Sequence, residues 1–149
     1  MTAINKVTEL DTAVLQQLCA ESSQEGFRFM DRLREEWASG ANRFDGTGEA
    51  LFLAVKDGQV VGVCGLNRDP YAHDVRIGRV RRLYVLRSHR HGGVGRSLLE
   101  AVIAHAREHF DVLRVRTEAA SDFYTARGFR RDMSDAEATH VLKLCRPAN

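Results

Sequence analysis

The chain has 149 residues and a mass of 16.7 kDa, which suits one domain spanning residues 1–149 and leaves room for a buried core. With 44% hydrophobic residues, 28% charged residues and a net charge of +2, intrinsic disorder is excluded, and the charge alone does not call for nucleic acid. No stretch approaches the roughly 20 apolar residues of a membrane helix.

The opening Met1–Lys6 is not followed by the apolar run of a signal peptide. Cys19, Cys64 and Cys145 fit neither a metal motif nor a disulfide framework, so a reduced, cytoplasmic setting is expected. An extended segment ends at Val7–Leu10. Asp11 then caps a helix on which Val14, Leu15 and Leu18 share a face, and Gly26 breaks it. A second helix carries Phe29, Met30, Leu33 and Trp37 and stops near Ser39-Gly40. Phe27, Phe29, Met30 and Trp37 are spaced like a helix face and read as core.

Leu51–Val55 reads as a strand, Lys56-Asp57-Gly58-Gln59 as a hairpin turn and Val60–Leu66 as the returning strand. Ile77–Val85 is a third long strand. Val94, Leu98, Leu99, Val102, Ile103 and Ala106 mark a helix with one apolar face. Val112–Arg116 is a strand, Ala119–Arg127 a short helix ended by Gly128, and Phe129–Arg131 and Thr139–Leu144 a closing pair of strands. The order β-α-α-β-β-β-α-β-α-β-β predicts a mixed α/β (α+β) domain with a central sheet.

The most informative stretch runs from Leu83 to Leu99. A strand enters a glycine-rich turn, Arg90-His91-Gly92-Gly93-Val94-Gly95, and the turn enters an amphipathic helix. Glycines let the backbone turn tightly and let an anion come close. The first N–H groups of the helix have no internal partner and sit at its positive end, so the segment is a candidate pyrophosphate cradle, with Arg87, Arg90 and Arg96 around it. A Walker loop is excluded because Arg96 stands where its lysine belongs and the spacer is missing. A dinucleotide fingerprint is excluded by Leu98 at the third glycine position and by the element order. Arg-x-x-Gly-x-Gly is satisfied.

That segment resembles motif A of the GNAT superfamily of N-acetyltransferases. Ala120-Ser121-Asp122-Phe123-Tyr124-Thr125-Ala126-Arg127-Gly128-Phe129 is similar to the family's second signature, Ala-x-x-Phe-Tyr-x-x-x-Gly-Phe. The element order from Ile4 to Leu144 agrees as well. The resemblance implies a single GNAT-like domain whose mostly antiparallel mixed sheet is splayed at the cofactor site and flanked by about four helices.

It further implies acetyl-CoA as co-substrate, with no metal. The pyrophosphate would rest on the N–H groups of His91, Gly92, Gly93, Val94, Gly95 and Arg96, with Arg90 and Ser97 nearby. The pantetheine arm would lie along Leu83, Tyr84 and Val85. The Val85 N–H becomes a candidate donor to the thioester oxygen, and Tyr124 a candidate general acid; a tyrosine on a short amphipathic helix can equally be a packing residue. Phe123 reads as core. The acceptor would be an amine of a small molecule or peptide, neither nucleic acid nor membrane is expected as partner, and homodimers are common in the family.

One feature departs from the family pattern. Relatives often carry a carboxylate base on the strand leading into motif A, and Arg76-Ile77-Gly78-Arg79-Val80-Arg81-Arg82-Leu83-Tyr84 has none. Glu118, Asp69, Asp74, His73 and water remain as candidates. Arg79, Arg81 and Arg82 read as solvated or phosphate-binding in preference to gripping an acidic acceptor. No cysteine lies by the motif, so direct transfer in a ternary complex is expected; the alternative is a non-catalytic acyl-CoA sensor. His105-Ala106-Arg107-Glu108-His109 matches an inverted zinc-protease signature, but its helix already serves the phosphate loop.

Overall fold

The structure is a computed structural model that describes residues 2–144, so Cys145 lies outside the described residues. Seven strands form one sheet in the order β1-β2-β3-β4-β5-β7-β6. They are β1 (Ala3–Lys6), β2 (Ala50–Lys56), β3 (Gln59–Arg68), β4 (Ile77–Val85), β5 (Val112–Val115), β6 (Arg130–Arg131) and β7 (His140–Lys143). Every neighbouring pair is antiparallel except β4 with β5, which run parallel. Four α-helices flank the sheet: α1 (Gln16–Gln24), α2 (Phe29–Ser39), α3 (Val94–Ala106) and α4 (Ser121–Thr125). Among the described residues, no helix is long and apolar enough to cross a membrane.

The helix expected after Asp11 is divided. Asp11 caps a 3-10 turn, Thr12–Leu15, by accepting from the Ala13 N–H at 3.0 Å, and α1 follows it directly. The β2–β3 hairpin turns through Asp57 and Gly58 at φ 51° and 77°, the paired left-handed conformation that this turn requires. Gly40 ends α2 at φ 82°.

Helix α3 buries Val94, Leu98, Leu99, Val102, Ile103 and Ala106 against one face of the sheet. The opposite face takes Leu18 of α1 and Met30, Leu33 and Trp37 of α2. Close approach replaces side chains in β3 and β4. A Cβ on Gly62 would meet Leu98 at 3.0 Å, one on Gly65 would meet Phe44 at 2.4 Å, and one on Gly78 would meet Phe110 at 2.8 Å.

Two irregularities in β4 position the site. Its register with β3 slips between Val63/Tyr84 and Gly65/Arg81, and Arg82 sits at φ 61°, a bulge in which two β4 residues oppose Cys64. On its other edge β4 pairs with β5 only through Ile77↔Val112, Gly78↔Leu113 and Arg79↔Arg114. Beyond Arg79 the two strands part, while β5 continues to pair with β7.

Candidate active site

The opening between β4 and β5 places unpaired backbone where an extended ligand can lie. The Leu86 N–H bonds the Val61 carbonyl at 2.9 Å, and Gly62 stands opposite Val85. Antiparallel pairs alternate between bonded and non-bonded, so the Val85 N–H and carbonyl point away from β3, into the opening. By the same alternation Tyr84 exchanges its backbone bonds with Val63, leaving Leu83 and Val85 as the residues that offer backbone groups to the opening. The Val85 carbonyl accepts from Arg90 Nε at 2.9 Å.

The loop after β4 has the backbone of a candidate anion cradle. His91 and Gly93 adopt φ 66° and 87°, and Gly93 is the N-cap of α3 without any side-chain cap. Backbone that alternates hands in this way turns successive N–H groups toward one concavity. The first acceptor used is the Gly93 carbonyl, which takes the Ser97 N–H at 2.9 Å. Among the described residues, the amides from His91 to Arg96 find no acceptor. A Cβ on Gly93 would meet nothing within 4 Å, so the concavity opens to solvent. These residues fit a diphosphate, and Val85 and Leu83 fit a pantetheine arm.

Helix α4 closes the other side. A Cβ on Gly95 would lie 3.6 Å from both Phe123 and Val85, so Phe123, expected as core, packs over the start of α3 and the end of β4. Tyr124 turns inward, 4% exposed, with its ring edge-on to Phe123 and Phe129. Among the described residues its hydroxyl has no hydrogen-bond partner, yet it is not among their sealed, unsatisfied polar atoms, so it keeps contact with solvent. Burial pushes the phenol above its ordinary value, which keeps it protonated. Ser121 Oγ and Thr139 Oγ1 lie 2.9 and 2.8 Å from the two ring nitrogens of buried His140, which ties α4 to β7.

Several sequence candidates take other roles. Arg90 is turned away from the loop and forks onto Glu25, the C-cap of α1, at 2.7 and 3.1 Å. The Tyr84 hydroxyl lies between the carboxylates of Glu21, at 2.8 Å, and Glu25, while Glu21 also accepts the Arg87 N–H at 2.9 Å. These contacts clasp the end of β4 to α1. Arg90, with help from Tyr84, lowers the Glu25 carboxyl to about 2. Sequence reasoning missed Glu21 and Glu25, although their spacing of four on one helix puts both on one face. Arg96 is exposed and pairs with Glu100 at 3.0 Å, beside an arginine-lined groove of about 370 Å³ between α3 and α4. A second groove, of about 450 Å³, lies by Thr8–Thr12 and Trp37, on elements remote from this cradle.

The base candidates fare differently. Asp69 is fully buried, with its Oδ2 at 2.8 Å from Arg114 Nε and 3.4 Å from Arg79 Nη1. Asp74 is tied to Arg76, whose hydrogen bonds hold its carboxyl below the ordinary value. His73 and Glu118 are exposed. Cys64 is buried, and burial pushes its thiol up, away from the thiolate an acyl carrier needs. His105 and His109 stack at 5.0 Å, and no cluster of three or more metal-ligating side chains occurs among the described residues.

An amide run at a helix N-terminus, a split between two parallel strands and a tyrosine-bearing helix beside both are what a CoA-dependent acyltransferase requires. Residues 47–131 match the family model for the acetyltransferase (GNAT) domain. The chain superposes on the crystal structure of a candidate acetyltransferase from Exiguobacterium sp. 255-15 with a TM-score of 0.87 and 33% identity, covering 96% of this chain and 93% of that one. An Escherichia coli GNAT family N-acetyltransferase in complex with CoA shares the fold at a TM-score of 0.70 and 17% identity, covering 97% and 82%. A ribosomal-protein-alanine N-acetyltransferase from Brucella melitensis does so at 0.69 and 23%, covering 95% and 99%. Among curated proteins none matches the chain. The protein therefore belongs to the GNAT acetyltransferase family, and its activity is acyl transfer.

Two predictions arise from the loop and its clasp. Gly93→Val forces a branched side chain into a left-handed position, at a cost of about 1–2 kcal/mol, and crowds the cradle. Calorimetric titration should show CoA binding weakened at least tenfold; unchanged affinity would remove the loop from the binding site. Because the Glu25 carboxyl is depressed in the fold, its contribution to stability is complete above its ordinary value of 4.5 and is lost as pH falls toward about 2. Melting curves from pH 6 to pH 2 should therefore fall more steeply for the native protein than for Glu25→Gln. Parallel curves would show that the clasp contributes nothing.

Proposed function

We propose that this protein is a cytoplasmic N-acetyltransferase that moves the acetyl group of acetyl-CoA to a primary amine by direct attack in a ternary complex. The observation that carries this reading is the run of unpartnered amides from His91 to Arg96, continuous with the open edge of β4 at Val85. Those amides and the positive end of α3 hold the diphosphate, with Arg96 and Ser97 at the rim. The thioester carbonyl lies against the Val85 N–H, which is already aimed where negative charge grows during attack. Acetyl-CoA supplies the activated acyl group.

The amine nitrogen forms the new C–N bond as the C–S bond breaks, the amine gives its proton to solvent water, the sulfur leaves as the CoA thiol with the proton of Tyr124, and solvent returns a proton to that phenolate. Tyr124, held neutral by burial, donates a hydrogen bond and then a proton to the departing sulfur. The buried thiols of Cys19 and Cys64 support a route without an acyl-enzyme and agree with a reduced compartment.

The occupied carboxylates around β4 favour one other reading, an acyl-CoA sensor without turnover. Thiol release from acetyl-CoA with a panel of amines, corrected for hydrolysis, separates the two. Amine-dependent release is expected; saturable binding of acetyl-CoA without release would favour the sensor.

A further inference from the structure

The face of β4 opposite the phosphate loop carries more positive charge than its surroundings neutralise. Gly78 of β4 faces Phe110 on the α3 side, so alternation sends Arg79 and Arg81 to the α2 side. The bulge at Arg82 directs that side chain the same way, where it meets Glu36 of α2 at 2.8 Å. Within this cluster the ion pairs join Arg79 and Arg114 to Asp69, Arg114 to Asp135, and Arg82 to Glu36. Arg81 has no ion pair and no hydrogen bond among the described residues, although it is half-buried. Its electrostatic neighbours are Arg82, Glu36, Tyr71 and Arg79. Four guanidiniums thus share three carboxylates.

The donors are also unfinished. The Arg82 side chain is 9% exposed, and among the described residues its Nε has no partner and Arg114 Nη2 is likewise buried and unpaired. Buried guanidinium donors left without acceptors are costly, and a planar anion is what satisfies them. The location decides which anion. Arg81 lies two residues past Arg79, the last β4 residue paired with β5, so it borders the opening. It lies on the face away from the His91–Arg96 amides, so the CoA diphosphate does not reach it. Aromatic side chains stand at both ends of this stretch. Phe29 packs 6.1 Å from Tyr84, with Phe27 5.4 Å beyond it and 45% exposed. Tyr71, also 45% exposed, lies under Arg79 at 4.9 Å.

We infer that the acceptor is a carboxylate-bearing amine of amino-acid type, anchored by the unpaired guanidinium of Arg81 between the aromatic walls. This rests on the acetyltransferase reading above and specifies its substrate. It replaces the expectation that these arginines are merely solvated or serve the CoA phosphates. An anchored carboxylate fixes the amine near the thioester, and the surrounding cations make loss of the ammonium proton easier on a strand that lacks a carboxylate base.

The test compares matched pairs, L-phenylalanine and L-leucine against their amides, by thiol release from acetyl-CoA. It also measures binding of N-acetylphenylalanine against N-acetylphenylalaninamide to the CoA-loaded protein by calorimetry. The expected result is a preference of tenfold or more for the free carboxylate in both arms. Arg81→Gln should abolish that preference, chiefly by raising KM for the acid, while leaving CoA affinity within about twofold, and Arg81→Lys should restore part of it. Equal use of acid and amide would overturn the inference and leave the acetyltransferase reading standing. If no amine is acetylated, the transferase reading fails instead, and the binding arm still decides: no carboxylate preference, or one that Arg81→Gln retains, overturns the anchor. Should Arg81→Gln fail to fold, the native protein and Arg81→Lys carry the same comparison.

Discussion

Asp69→Asn is expected to destabilise the protein by about 3–5 kcal/mol, the usual consequence of removing one partner from a buried ion pair. The carboxylate is fully buried, so bulk solvent does not take its place. Oδ2 holds Arg114 and Arg79, and Oδ1 accepts the Tyr71 N–H at 2.9 Å. Removing the charge leaves two guanidiniums from adjacent strands repelling each other. Those strands meet at Arg79↔Arg114, the last pair before the sheet opens. The damage therefore falls where the opening is anchored. At this chain length each kcal/mol lowers Tm by about 2–4 °C, so a drop of about 6–20 °C is expected in a thermal melt. A drop under 2 °C would mean that Asp69 is not the pin described here.

The second large effect is catalytic. Tyr124→Phe removes a hydroxyl that makes no hydrogen bond among the described residues while keeping the ring against Phe123 and Phe129. Stability should change by less than about 1 kcal/mol. Loss of a general acid, by contrast, is worth about 10²–10⁴ in rate. We expect kcat to fall at least a hundredfold, with CoA affinity nearly unchanged. Because burial raises the phenol above its ordinary value, no alkaline loss of activity from Tyr124 is expected below about pH 10. An unchanged kcat across pH would reduce Tyr124 to a packing residue.

Where residues interact with near neighbours, the sequence could be read directly. The limits of β4 at Ile77 and Val85, the amphipathic α3 and the Asp57-Gly58 turn all depend on periodicity or on left-handed turn chemistry. The turn from β4 into α3 was legible for the same reason, since its glycines act through their own backbone. The bulge at Arg82 was not foreseen, although Arg81-Arg82 breaks the alternation of the strand and marks the place.

Side-chain partners distant in sequence stayed hidden. Tyr84 meets Glu21 and Glu25 across 63 and 59 residues, and Asp69 meets Arg114 across 45. For that reason Asp69 stood among the base candidates, whereas the fold buries it between two arginines. Arg90, placed by its motif at the phosphates, is drawn instead to Glu25, because α1 brings a carboxylate to within 2.7 Å.

The most direct measurement is a titration of the ¹⁵N-labelled protein with acetyl-CoA, followed amide by amide. The amides of His91 through Arg96 and of Val85 should shift together and saturate together, while those of Thr8 to Thr12, beside the remote groove, stay in place. Saturable binding that leaves the His91–Arg96 amides unmoved would contradict the account.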